Sequence, residues 1–244
     1  MDVIYGRNPV LEALRARRPA RKLVVAEGIR EDGRIREILE RAAAAGVPVE
    51  TSPRRRVDDI AHTEHHQGIA GYFHTRVPLH LHDLLDAVRP PALLLALDGI
   101  QDPQNLGAIV RSAEACAVDG VVVSRRHAAS LTGAAAKASA GAIEHVNIST
   151  VPNLALALET IAAAGIARVG LDAEGAMRYD EFDFTQPVLL VVGAESRGLH
   201  QLTRQHCDAL VALPMLGRVA SLNAGAAAAV LLYEVQRQRG FVAS

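Results

Sequence analysis

The stretch "ALPMLGRVASLNAGAAAAVLLYEV", residues 212–235, changes character twice. It opens as the end of an apolar strand, breaks into a loop containing Gly217, and continues as a helix almost without polar side chains. Leu213 closes the strand, Gly217 permits a tight turn, and Ser221 or Asn223 starts the helix. The run Ala224 to Ala229 keeps one helix surface small, which permits close approach of another backbone. Small residues alone name no ligand.

Working outward, the same alternation recurs from Ala92 onward. Apolar strands "ALLLALD", "GVVVS", "HVNIS", "ARVGLDA" and "PVLLVVGAE" are separated by helical segments such as "NLGAIVRSAEACA", "AAAKASAGA" and "NLALALETIAAAG", with "GLHQLTRQH" before the last strand. Continuous apolar strands between helices predict an α/β fold with a parallel sheet covered on both faces. Sheets of this kind bind ligands beyond the carboxyl ends of their strands. Upstream, "NPVLEALRA", "KLVVAEG", "RIREILERAAAAG", "VPVETS", "RRVDDIA" and "GIAGYFH" predict a smaller α/β unit, with Asn8 as cap and Pro9 in the first turn of its first helix. Prolines at 78, 90 and 91 interrupt the pattern around one short amphipathic helix. The expected organisation is an N-terminal domain over 1–76, a linker over 77–91 and a larger domain over 92–244.

Half of the 244 residues are apolar, ample for a packed core, and the start "MDVIYGRNPVLEALRARR" has no secretory pattern. With no long uncharged apolar run, a cytoplasmic protein is expected. Cys116 and Cys207 lie far apart without CxxC spacing, so reduced, buried thiols are expected rather than a disulfide framework or zinc site. The net charge of −1 is unevenly spread: residues 1–76 carry 14 Lys and Arg against 11 Asp and Glu, and the remainder 12 against 16. Arg54, Arg55 and Arg56, and the cluster "RARRPARK", form either a solvated face or a phosphate-contacting surface.

Three loops at strand ends carry the informative residues. Asp98, at the end of "ALLLALD", and Asn105, in the following "GIQDPQNLGAIVRSAEA", end a strand and open a helix, where they either cap and close the turn or serve a site. Arg111 sits among apolar neighbours on that helix, so its guanidinium must reach solvent or meet an anion. In "GAESRGL", Gly193 and Gly198 allow close main-chain approach, and Glu195 suits a helix start. A capped turn accounts equally well for that loop alone. The dinucleotide fingerprint GxGxxG is missing, and "HTEHHQG" with His62, His65 and His66 lacks the spacing of a metal site, so no metal is expected.

Together, "QDPQNLGAIVRSAEA", "VVGAESRGL" and "LPMLGRVASLNAGAAAAVLLYE" resemble the three ordered motifs of the SpoU-type (TrmH-like) RNA ribose 2′-O-methyltransferases of the SPOUT superfamily. The segments "YGRNPVLEAL" and "HQGIAGYF" resemble the N-terminal substrate-binding domain of the RlmB-like branch, which methylates a guanosine of large-subunit ribosomal RNA. The resemblance implies a SPOUT fold with a C-terminal trefoil knot, a small ribosomal-protein-like RNA-binding domain, S-adenosylmethionine as methyl donor, ribosomal RNA as substrate and a homodimer. It places Gly193, Leu213, Met215, Ser221, Leu222 and Asn223 at the cofactor, and Arg111, Asn105 and Glu195 in catalysis. Arg7 and the basic cluster Arg54, Arg55 and Arg56 are expected to contact RNA. Relatives often carry a hydroxyl residue where this chain has Gly225, which removes any serine chemistry from that position.

A ribose 2′-hydroxyl is a very weak acid, so methyl transfer needs tight orientation together with proton removal or stabilisation of a developing alkoxide. Since guanidinium stays protonated in proteins, Arg111 is expected to grip the neighbouring phosphate rather than act as base. Two other readings compete: a transfer-RNA 2′-O-methyltransferase, and a noncatalytic RNA-binding assembly factor that kept the fold.

Overall fold

The computed structural model describes residues 1–125, 133–195, 197–218 and 221–241. It divides into two compact units, and the division does not follow chain order. Residues 1–77 and 133–145 belong to the first unit, while the second takes in 78–125 and everything described from Val146 onward.

The first unit is a four-stranded sheet in the order β1-β4-β2-β3, formed by β1 (Asp2–Tyr5), β2 (Ala20–Ala26), β3 (Val49–Ser52) and β4 (Ile69–Phe73). β4 runs antiparallel to both β1 and β2, whereas β2 and β3 are parallel. Helices α1 (Arg7–Arg15) and α2 (Gly33–Ala44) lie on one face because their apolar residues recur at helical spacing: Val10, Leu11 and Leu14 on α1, Ile35, Ile38 and Ala42 on α2. These meet Ile4, Leu23, Ile69 and Phe73 in one core. Asp32 starts α2 by accepting the Ile35 amide at 3.0 Å, a cap contributing about 1 kcal/mol. Helix α3 (Arg54–Ala61) covers the other face through Val57.

The start of α1 differs from the sequence expectation. Gly6, at φ 95°, occupies the cap position, so the helix begins at Arg7 and Asn8 lies inside it. The backbone there needs a left-handed φ, which glycine supplies without strain. The histidine loop also resolves simply: His66 is fully buried, its Nε2 paired with Asp58 at 2.6 Å and its Nδ1 accepting the Gly68 amide at 2.9 Å. It is a satisfied core histidine. Residues 133–145, read from sequence as part of the larger domain, form α6 (Gly133–Ala138) and a 3-10 turn (Ala142–Glu144) of the first unit. Buried charge explains that membership, since Glu144 pairs with Arg18 at 2.8 Å, with side chains 1% and 9% exposed.

The second unit is a seven-stranded, wholly parallel sheet in the order β7-β6-β5-β10-β8-β11-β9. Its strands are β5 (Leu93–Asp98), β6 (Gly120–Ser124), β7 (Ile148–Val151), β8 (Ala167–Leu171), β9 (Met177–Arg178), β10 (Val188–Gly193) and β11 (Ala209–Ala212). Every residue of β5 and β10 is buried, as expected for central strands covered on both faces. Around them lie α4 (Leu81–Asp86), α5 (Pro103–Ala115), α7 (Leu154–Ala163), the short α8 (Gln201–Gln205) and the final α9 (Ala224–Gln238). Residues 78–91 pack with this unit, Leu84 of α4 being fully buried and Leu79 bridging to Ser149.

Helices α5 and α9 pack closely, and Gly225 is the reason. A Cβ at that position would lie 2.9 Å from the Ala108 Cβ and 3.0 Å from Asn223 Oδ1. At its far end, α9 is tied down by Arg239, whose guanidinium donates to the carbonyls of Phe184, Pro91, Ala92 and Gln186 at 2.7–3.0 Å. No helix among the described residues is long and apolar enough to cross a membrane.

Candidate active site

The carboxyl ends of β5, β8, β10 and β11 point the same way, and the three loops singled out in the sequence follow three of them. After β5, Asp102 caps α5 by accepting the amides of Gln104 at 3.3 Å and Asn105 at 3.2 Å, with Pro103 at the first helical position. That cap sets Asn105 in the first turn. After the β11 loop, Asn223 caps α9 in the same manner, its Oδ1 accepting from Gly225 at 2.9 Å and Ala226 at 3.2 Å.

These caps orient the amides. Because Asn223 Oδ1 is taken by the helix, its Nδ2 faces outward and donates to Asn105 Oδ1 at 2.5 Å. Asn105 Nδ2 is then left to donate to Glu195 Oε2 at 3.4 Å, and Asn223 Nδ2 lies 3.5 Å from the same oxygen. One residue from each loop thus enters a single polar network. Arg111, two turns further along α5, is exposed and has no hydrogen-bond or ion-pair partner among the described residues.

Beside this network opens a cavity of about 390 Å³, within the range of about 300–1,000 Å³ usual for ligand pockets. Gly193, Leu213, Met215, Ser221 and Leu222 line it, five of the six residues expected at the cofactor. Asn223 is not on its wall; the small side chains of Ala224 and Ala227 are. Gly193 is required by close backbone packing, since a Cβ there would come within 2.2 Å of the Gly198 carbonyl carbon. Gly198, at φ 62°, closes the loop by donating its amide to the Ala194 carbonyl at 2.7 Å.

The wall also holds charged residues that the sequence analysis did not single out: Asp172, Glu174 and Arg204 outside the motifs, and Arg197 within the second. Arg204 lies 3.5 Å from Asp172 and 3.2 Å from Glu174. For Asp172 and Glu174 the signal was present, because "DAEG" directly follows the apolar run of β8, and the strand-end rule applied to that loop finds these two. A cavity with apolar patches, small residues, three carboxylates (Asp172, Glu174 and Glu195) and two guanidinium groups suits a zwitterionic ligand with an added positive charge and an aromatic base. S-adenosylmethionine has that chemistry.

Of the four arginines expected at RNA, Arg7 is engaged by Asp32 at 2.6 Å and by Gln67, and Arg56 pairs with Glu50 at 2.9 Å. Arg54 and Arg55 are exposed without ion-pair partners among the described residues.

A parallel sheet with a cavity and a convergent amide–carboxylate network at its carboxyl edge is an α/β domain with its candidate ligand site where open parallel sheets bind ligands. Residues 92–233 match the SpoU rRNA Methylase family and residues 3–76 match the RNA 2′-O ribose methyltransferase substrate-binding domain; the chain belongs to the SpoU family. It is similar to an uncharacterized tRNA/rRNA methyltransferase of Mycolicibacterium smegmatis, 46% identical over 241 residues, covering 98% of this chain and 77% of that one. A second relative, from Mycobacterium avium, is 45% identical over 240 residues, with 98% and 78% covered. Among solved structures it resembles the SpoU methyltransferase AviRb from Streptomyces viridochromogenes, with a TM-score of 0.83, 27% identity, and coverage of 98% and 90%. AviRb in complex with the cofactor AdoMet gives a TM-score of 0.82 at 28% identity, covering 98% and 91%. SpoU methyltransferases use S-adenosylmethionine, and the protein is an RNA 2′-O-methyltransferase of this family.

Proposed function

We propose that the protein methylates the ribose 2′-hydroxyl of a guanosine in large-subunit (23S) ribosomal RNA, acting in the cytoplasm as a homodimer. The observation that carries this reading is the network in which Asn105, Glu195 and Asn223 join the three motif loops beside the cavity, with a partnerless Arg111 on the same helix as Asn105. The cavity residues Gly193, Leu213, Met215, Ser221 and Leu222 hold S-adenosylmethionine, with Asn223 acting from behind by fixing the loop and α9. When bound, that donor supplies an electrophilic methyl group on a sulfonium sulfur.

The protein's own residues supply orientation and charge. Arg111 grips the phosphate beside the target ribose and stabilises the developing alkoxide, while the proton leaves through phosphate or water. Asn105, held by Asn223, orients the substrate or the Arg111 side chain, and Glu195 fixes the Asn105 amide. In the first unit, Arg54 and Arg55 supply phosphate contacts, with Arg56 and Arg7 contributing only by exchanging carboxylate partners for RNA. The guanosine of large-subunit RNA is supported by the resemblance of "YGRNPVLEAL" and "HQGIAGYF" to that branch. Val230, Tyr233 and Phe241, exposed at and just beyond α9, supply apolar surface for a second copy. The sheet order, with β10 inserted between β5 and β8, supports a trefoil crossing of the closing segments.

Transfer of labelled methyl to deproteinised ribosomal RNA, followed by mapping of the modified ribose, tests the proposal. Label on one large-subunit guanosine is expected. Label on transfer RNA alone, or none with any RNA despite donor binding, contradicts it.

A further inference from the structure

Asp98 ends β5, level with Gly193 of β10, and its side chain is 9% exposed. It does not cap α5, which Asp102 does, and it has no Lys or Arg partner among the described residues. Instead both of its oxygens turn to one residue across the sheet. Oδ2 accepts the backbone N–H of His200 at 2.8 Å, and Oδ1 lies 2.8 Å from Nδ1 of the same residue, which makes Nδ1 the protonated ring nitrogen.

His200 stands directly after the loop that supplies Gly193, Glu195, Gly198 and Leu199 to the cavity wall. The start of that loop is held by β10 and by the close contact of Gly193 with Gly198. Its end has the carboxylate of Asp98. A nearly buried carboxylate is costly unless its hydrogen bonds compensate, and here both bonds fall on the one position that closes the loop.

We infer that Asp98 and His200 are a positioning pair for methyl transfer: they pin the end of the loop after β10, so that the cavity wall stays formed and Glu195 stays in reach of Asn105 and Asn223. The pair touches no reacting atom. This inference rests on the donor occupying the cavity as proposed above.

Two full-length variants test it. His200→Ala removes the ring bond on a side chain that is 55% exposed, so the unfolding midpoint should stay near that of the wild type. His200→Asn returns a side-chain N–H at the same number of bonds from Cα as Nδ1. In the donor-free protein, His200→Ala should speed hydrogen exchange of the Gly198 and His200 amides, and His200→Asn should restore slow exchange. By calorimetry, the Kd for S-adenosylmethionine should rise about tenfold in His200→Ala, as for loss of one hydrogen bond to a charged group, and recover in His200→Asn. Unchanged exchange in His200→Ala overturns the inference whatever the donor does, as does a loss that follows a lowered unfolding midpoint and is not recovered by Asn. Altered exchange in a protein that binds no donor even as wild type would sustain the pinning of the loop and overturn the cavity assignment instead.

Discussion

Asn223 donates from Nδ2 to Oδ1 of Asn105 at 2.5 Å, joining the first turns of two helices from residues 118 positions apart. The same Asn223 caps α9 with its other side-chain atom, so one amide serves both the helix and the network.

The two duties separate in variants. Asn223→Asp keeps an oxygen for the cap and retains the wild-type unfolding midpoint, but it loses the donor and sets a second carboxylate where Nδ2 lies 3.5 Å from Glu195. Methyl transfer should fall about tenfold or more, the effect of losing a hydrogen bond and adding a like charge. Asn223→Ala loses activity and about 1 kcal/mol of stability as well. Denaturant melts alongside turnover distinguish the two.

Gly225→Ala should destabilise, against the usual gain of about 1 kcal/mol for that change within a helix. The added methyl meets the Ala108 Cβ at 2.9 Å, and overpacking of this kind costs about 1–3 kcal/mol. Pairing it with Ala108→Gly should recover part of the loss. Chemical denaturation of the two single variants and the double variant gives the coupling directly.

Burial pushes the Cys116 thiol up to about 11 and the Cys207 thiol, which also donates to the Thr203 carbonyl at 3.3 Å, up to about 12. Cys116 is buried as the sequence suggested, while Cys207 is half-buried. Both thiols are neutral at ordinary pH, so native protein should react with a disulfide reagent only as fast as it opens. Raised acid pKa values favour the fold while the thiols stay protonated. Above the ordinary value of 9.0 the unfolded chain loses its protons first, and that contribution fades as pH climbs toward 11–12. Melts of wild type and a Cys207→Ser variant through the alkaline range check the sign.

Arg111→Lys keeps a positive charge but not the planar fork. Donor binding should be unchanged and turnover reduced about 10²-fold, the magnitude usual for loss of a preorganised donor to a developing oxyanion. Near-full turnover in the lysine variant contradicts a forked phosphate contact.

Much of the molecule was legible because its strongest signals are local. The buried strands β5 and β10 are unbroken apolar runs, and the helices α5, α7 and α9 announce themselves by spacing and caps. What escaped depends on partners far along the chain. β1 is four residues with no apolar alternation, and it is a strand because β4 pairs with it. β9 is a two-residue strand made by β11. Asp98 reads locally as a cap or turn residue, and its partner is 102 positions away. Gly225 reads as a lost hydroxyl until Ala108 is seen against it. The motif loops named most of the cavity wall, whereas Arg204 carries no motif and joins it only through the sheet order and its pairing with Asp172.

The most direct measurement is a calorimetric titration of S-adenosylmethionine into the wild-type chain and into Ala227→Leu, whose longer side chain fills the cavity beside Leu213 and Leu222. The wild type should bind with a Kd in the range of about 1 μM to 1 mM typical of enzyme substrates, and the variant should bind at least about tenfold more weakly. Equal binding by the two would place the donor elsewhere, and no binding by the wild type would contradict the account at its root.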